Sequence, residues 1–122
     1  MTVDKSVFIV DDDEGFVDTI AMFLRRKGYR VSVAKSLGEA FKTIVKIKPD
    51  LAVVDLLLDD GEGTEIISRI KELYPSTYTI LLSGHREDEA SKKAKEAGAD
   101  EFAPKPFTAS QLKALIEKVF GG

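Results

Sequence analysis

Short apolar runs and one-sided helical stripes alternate five times along the chain. Val7–Val10 and Leu51–Val54 are brief, continuous and rich in β-branched residues, which marks them as strands buried on both faces. The first strand is read as Ser6–Val10, the third as Leu51–Val54 closing at Asp55, and the fourth as Tyr78–Leu82. Tyr29–Ala34 alternates Val31 and Val33 with Arg30 and Ser32, as a less buried edge strand would, and Glu101–Ala103 forms a short fifth strand. Helical stripes lie between them. Phe16, Val17, Ile20, Phe23 and Leu24 share one side of a first helix, and Gly28 suits its C-terminal cap. Ser36 and Glu39 have capping-box spacing ahead of Leu37, Phe41, Ile44 and Val45, all expected to point inward, with Pro49 closing the region. Ile66, Ile67, Ile70 and Leu73 make the inward side of a third helix, stopped by Pro75. A charged helix over Glu87–Ala97 ends at Gly98. Thr108 and Gln111 open the last helix through a second capping box, with Leu112, Leu115, Ile116, Val119 and Phe120 buried.

Strands separated by helices imply a parallel sheet covered on both faces, because parallel neighbours need crossover connections. Right-handed crossovers leave few topologies. The flavodoxin-like order 2-1-3-4-5 sets the first strand beside the third and puts the fifth on an edge, where Pro104 is tolerated. The expectation is therefore one doubly wound α/β domain over residues 1–122, with five parallel strands. Composition agrees: 43% hydrophobic and 32% charged residues are ordinary for a globular chain. No apolar stretch approaches the roughly 20 residues of a membrane span. The absence of cysteine excludes disulfides and thiolate metal sites and fits a reducing cytoplasm, where the protein is expected to reside. A net charge of -3 argues against a broad basic surface for nucleic acid.

The first strand runs straight into Asp11-Asp12-Asp13 and the third into Asp55. In open α/β sheets the working site lies beyond the carboxyl ends of the strands. What this chain places there is Asp11, Asp12 and Asp13, then Asp55, then Ser83 after the fourth strand and Lys105 after the fifth. Carboxylates gathered on neighbouring strands are costly unless a cation or proton neutralises part of their charge. They suit a hard divalent cation, above all Mg²⁺. The hydroxyl and the ammonium can hold the remaining oxygens of a phosphoryl group. Each residue also has a plainer explanation: Asp11 to Asp13 as a helix cap and acidic first turn, Asp55 as a turn residue, Ser83 as a strand-end hydroxyl. Four independent plain causes would not select four matching positions.

Asp11-Asp12 after Val7–Val10, Asp55-Leu56-Leu57-Leu58 with Gly63, Ser83-Gly84 after Ile80–Leu82, and Lys105-Pro106-Phe107 occur in order, each at a strand end. In these motifs, and over nearly its whole length, the chain resembles the CheY-like receiver domain of two-component response regulators. The resemblance implies that Asp55 takes a phosphoryl group from a sensor histidine kinase or a histidine phosphotransfer protein. It implies Mg²⁺ bound by Asp12, the Asp55 carboxylate and the Leu57 backbone carbonyl, with Asp11 acting mainly through a bound water. Lys105 would pair with a phosphoryl oxygen, Ser83 would turn toward the acyl phosphate, and Phe102 would be the aromatic switch. The output surface would be the fourth helix, fifth strand and fifth helix, able to form a phosphorylation-dependent homodimer, and a kinase would dock around Gly15, Phe16 and Thr19. Such a domain is not an enzyme beyond its own phosphorylation and slow dephosphorylation, and it binds neither nucleic acid nor membrane directly.

Several residues depart from the family pattern. Asp59 stands where a proline is usual, Leu57 is bulky, and Phe102 lacks a tyrosine hydroxyl. Asp59, Asp60 and Glu62 are expected to face solvent, and the mixed charges of the fourth helix have a plain alternative to an output face in i,i+4 pairs such as Glu89 with Lys93. His85 lies two positions after Ser83, where the family varies and the residue bears on how water reaches the acyl phosphate; a solvated loop histidine is the plain alternative, and it is read as neither a ligand nor a general base. Among rival functions, a haloacid dehalogenase-type phosphatase would use Asp11 and Asp13 as its D-x-D pair, but Gly15 stands where that family expects Thr or Val. A flavin binder would need a Ser/Thr/Gly-rich first loop in place of three carboxylates. The remaining alternative is a receiver-like docking module independent of phosphorylation.

Overall fold

A computed structural model describes residues 4–84, 87–104 and 108–121. Along the chain run β1 (Ser6–Val10), α1 (Glu14–Arg26), β2 (Arg30–Ala34), α2 (Leu37–Ile44) and β3 (Leu51–Asp55). Two short strands follow, β4 (Leu57–Leu58) and β5 (Gly61–Glu62), then α3 (Thr64–Leu73), β6 (Tyr78–Ser83), α4 (Glu87–Ala97), β7 (Glu101–Pro104) and α5 (Ala109–Val119). Five strands form a parallel sheet in the order β2-β1-β3-β6-β7, which is the order expected for the five main strands. The antiparallel β4–β5 hairpin, with Leu58 opposite Gly61, was not legible in the periodicity. Two residues per strand are too few to show any.

Successive strand residues point to opposite faces, so each buried strand feeds two cores. Phe8, Val10, Ala52, Val54 and Leu81 pack with Ile44 of α2, Ile67 of α3 and Ala94 of α4. Val7, Ile9, Val53, Ile80 and Leu82 pack with Ile20 of α1 and Ile116 of α5. Every residue of β3 is buried, because it lies between β1 and β6 with helices on both faces. Leu115, Val119 and Phe120 are only partly buried, and two expected core residues are exposed. Val45 is 61% exposed because α2 has already ended at Ile44, and Leu73 is 36% exposed as the last residue of α3.

Local chemistry sets the helix ends. Asp13 caps α1 by accepting from the Phe16 N–H at 3.1 Å, and Gly28, at φ 96°, turns the chain out of that helix. Thr108 and Gln111 form the reciprocal capping box. At the amino ends of the strands, the Lys71 ammonium donates to Asp100 at 2.9 Å and to the Thr77 carbonyl at 2.8 Å. Asp100 also accepts from the Thr79 N–H at 2.8 Å. At the β2 edge, the Arg30 N–H donates to Lys5 of the neighbouring chain segment and the Ala34 carbonyl accepts from Asp11. By strand alternation the Val31 carbonyl then faces outward, where the Arg25 guanidinium donates to it at 3.0 Å.

Candidate functional site

Adjacency of β1 and β3 brings the two acidic segments together at the carboxyl edge of the sheet. Asp11 is 1% exposed and Asp55 8% exposed, with Asp12 half-buried beside them. One carboxylate oxygen from each lies within 4.8 Å of the others. Three carboxylates this close and largely withdrawn from water fit a hard divalent cation, which takes oxygen ligands and offsets the charge. Asp13 is separate from this cluster in role. Its Oδ1 accepts from the Phe16 N–H as the helix cap, while its backbone N–H donates to Asp11 Oδ1 at 3.0 Å, so Asp13 serves the helix and orients a member of the cluster.

Ser83 is buried at the end of β6, the next strand over from Asp55. Phe102 sits in β7 opposite Leu81, half-buried against the core on the α2–α4 side of the sheet. Phe16 packs against the α1–α5 core and so is partly a core residue. Lys105 and His85 lie outside the described residues, as do Pro106 and Phe107.

The loop after Asp55 is where expectation and structure part. Asp59 and Asp60 form the two-residue turn of the β4–β5 hairpin. The Asp59 N–H donates to Asp12 Oδ2 at 3.1 Å, so the loop backbone touches the acidic cluster itself. Asp60, expected to face only solvent, accepts from the Leu37 N–H at 2.8 Å and the Gly38 N–H at 2.9 Å. Those Gly38 and Leu37 amides at the start of α2 hold the Asp60 carboxyl below its ordinary range. Glu62 pairs with Lys93 of α4 at 2.7 Å, and this replaces the alternative Glu89–Lys93 pair. Glu62 also holds the Lys93 ammonium above its usual range, with smaller help from Glu89 and Glu96. Lys93 therefore reaches toward the hairpin and lines one groove with Glu62 and with Glu65 and Ser68 of α3. Local pattern could not reveal these contacts, because each joins residues more than 20 positions apart.

Gly63 closes the loop against the site. It is buried, its N–H donates to the Leu56 carbonyl at 2.7 Å, and a Cβ there would overlap the Asp55 carbonyl oxygen and the Val54 side chain. Leu57, whose backbone carbonyl was expected to be a ligand, opens the hairpin with its side chain 43% exposed.

A doubly wound α/β sheet with three clustered carboxylates beyond β1 and β3 defines, at the level of class, a flavodoxin-like domain with a candidate cation site at its carboxyl edge. The particular family follows from comparison: the response regulator receiver domain model matches residues 7–117, and the chain belongs to that family of two-component signalling domains. The acid tolerance regulatory protein ActR of Rhizobium meliloti (strain 1021) is 34% identical over 116 residues, covering 94% of this chain and 60% of ActR. A CheY-like receiver domain protein from Methanospirillum hungatei JF-1 superposes with TM-score 0.88 at 32% identity, covering 98% of this chain and 95% of that one. The BeF3-activated receiver domain of DrrB, a Thermotoga maritima protein, gives TM-score 0.84 at 32% identity, covering 98% and 100%. The chain spans from about a quarter to about three fifths of the length of the curated relatives it matches. Among the described residues no helix is long and apolar enough to cross a membrane.

Proposed function

We propose that Asp55 is the phosphoacceptor of this receiver domain, working with Mg²⁺ held by Asp12, Asp55 and the Leu57 backbone carbonyl, and with Asp11 through a bound water. The observation that carries this is the convergence of Asp11, Asp12 and Asp55 within 4.8 Å at the one sheet edge where such sites occur. An Asp55 carboxylate oxygen forms the new bond to phosphorus as the phosphorus–nitrogen bond of a donor phosphohistidine breaks, and the departing imidazole takes up a proton. Bound Mg²⁺ supplies positive charge to the phosphoryl oxygens. The side chains do the rest. Asp11 and Asp12 are set before the donor arrives, so little reorganisation is needed. Lys105 pairs with a phosphoryl oxygen, Ser83 donates to the acyl phosphate, and Phe102 turns inward as Ser83 moves, which changes the α4–β7–α5 surface. The donor partner is a sensor histidine kinase or a histidine phosphotransfer protein.

Acetyl phosphate with Mg²⁺ is expected to add one phosphoryl mass to the intact chain, and Asp55→Asn to abolish it. No adduct on the parent chain, or the same adduct on the variant, rules this function out.

A further inference from the structure

We infer that Asp60 is a positioning residue for the metal site, acting as a two-pronged staple between the β4–β5 hairpin and the start of α2; this rests on the phosphoacceptor reading above. The first turn of a helix has N–H groups without helical partners. In α2 the Ser36 hydroxyl takes the Glu39 N–H at 3.1 Å, while the two Asp60 oxygens take the Leu37 and Gly38 N–H groups. Three amides are satisfied, two of them by a residue that contributes nothing else to the helix. A local Ser36 cap would have sufficed for an ordinary helix start, so the second cap fixes the hairpin as much as the helix.

The hairpin needs fixing. A free two-residue hairpin favours primed turns, which require positive φ at one or both central residues. Among the described residues no non-glycine residue has positive φ, so neither Asp59 nor Asp60 supplies one. The unusual conformation falls on Gly61 instead, at φ 155°, and a Cβ there would come to 2.7 Å from Leu37 Cδ2. The hairpin is thus pressed onto the same α2 terminus that Asp60 grips. One residue before Asp60, the Asp59 N–H orients Asp12, and two residues earlier still lies Leu57. Groups that orient a metal ligand are commonly as consequential as the ligand itself. Releasing Asp60 frees the turn, and with it the Asp59 amide and the Leu57 backbone.

The test compares Asp60→Ala, Asp60→Asn and Ser36→Ala with the parent chain, unphosphorylated, by calorimetric Mg²⁺ titration and by thermal midpoint without Mg²⁺. Both alanine variants remove a cap and are expected to lower the midpoint. Only Asp60→Ala is expected to raise the Mg²⁺ dissociation constant, by about 10-fold. Asp60→Asn, with one acceptor for two N–H groups, is expected to fall between, and it carries the comparison if Asp60→Ala does not fold. Parent-like Mg²⁺ affinity in both Asp60 variants, or an equal loss in Ser36→Ala, overturns the assignment while leaving Asp55 phosphorylation intact. A parent chain that neither binds Mg²⁺ nor takes a phosphoryl group on Asp55 overturns the underlying reading instead.

Discussion

Gly63 shows how one missing side chain holds a site together. Its φ of -63° is open to any residue, so the constraint is space and not backbone freedom. The atoms it would meet are the backbone of the central strand and a core valine, neither of which can yield without disturbing β3. Overpacking of this kind costs about 1–3 kcal/mol. Gly63→Ala is expected to lower the urea midpoint by an amount in that range and to slow acetyl-phosphate labelling of Asp55. Gly15→Ala is the control, since its Cβ would meet only Asp13 Oδ1 at 3.6 Å. An unaltered urea midpoint in Gly63→Ala would mean that the strand backbone gives way. At this level the sequence was partly legible. Asp11 and Asp55 announce themselves because each directly follows an apolar run, and Asp12 adjoins Asp11. Asp60 does not, because its partners stand 22 and 23 positions upstream and no local spacing encodes them.

The β4–β5 hairpin and α4 are joined by Glu62 and Lys93, and the alternative of a helix-internal Glu89–Lys93 pair gives way for a simple reason. Helical i,i+4 partners gain only a few tenths of a kcal/mol, so any better placed carboxylate displaces them. Glu62 supplies one at 2.7 Å, with both side chains about two-fifths exposed. A double-mutant cycle with Glu62→Ala and Lys93→Ala is expected to give a small favourable coupling that added salt weakens. The matching cycle with Glu89→Ala is expected to give a smaller one, since Glu89 adds only a minor share to the field that Lys93 feels. A larger coupling to Glu89 than to Glu62 would return Lys93 to the outer face of its helix. The strongly periodic elements were readable in advance: α4 runs over Glu87–Ala97 and β1 over Ser6–Val10, as the pattern indicated. The hairpin was hidden because its shape comes from contacts on either side rather than from its own residues.

The sheet order followed from sequence because parallel strands, right-handed crossovers and an edge-like β2 leave little choice. The polar links that tie distant ends of the fold did not follow, and they govern how its stability depends on pH. Burial pushes the Asp100 carboxyl up, but Lys71 and the Thr79 amide and hydroxyl outweigh that and leave it below its ordinary value of 3.8. A depressed carboxyl contributes stability above its unfolded value, and that contribution is lost as pH falls through the folded one. Asp100→Asn is therefore expected to lower the thermal midpoint at neutral pH, with the deficit closing as pH drops below 3.8. A deficit that persists undiminished in acid would show that charge is not its source. At the alkaline end, the hydrogen bond to Glu101, together with burial, pushes the Tyr78 phenol up to about 12. Its contribution is whole below the ordinary 10.0 and disappears as pH climbs through that raised value. The two rims of the sheet carry a last consequence. Arg25 occupies an outward carbonyl on one rim and Pro104 removes an amide donor from the strand at the other. Each rim therefore presents one group fewer to a strand of a second molecule, which hinders edge-to-edge growth into fibres.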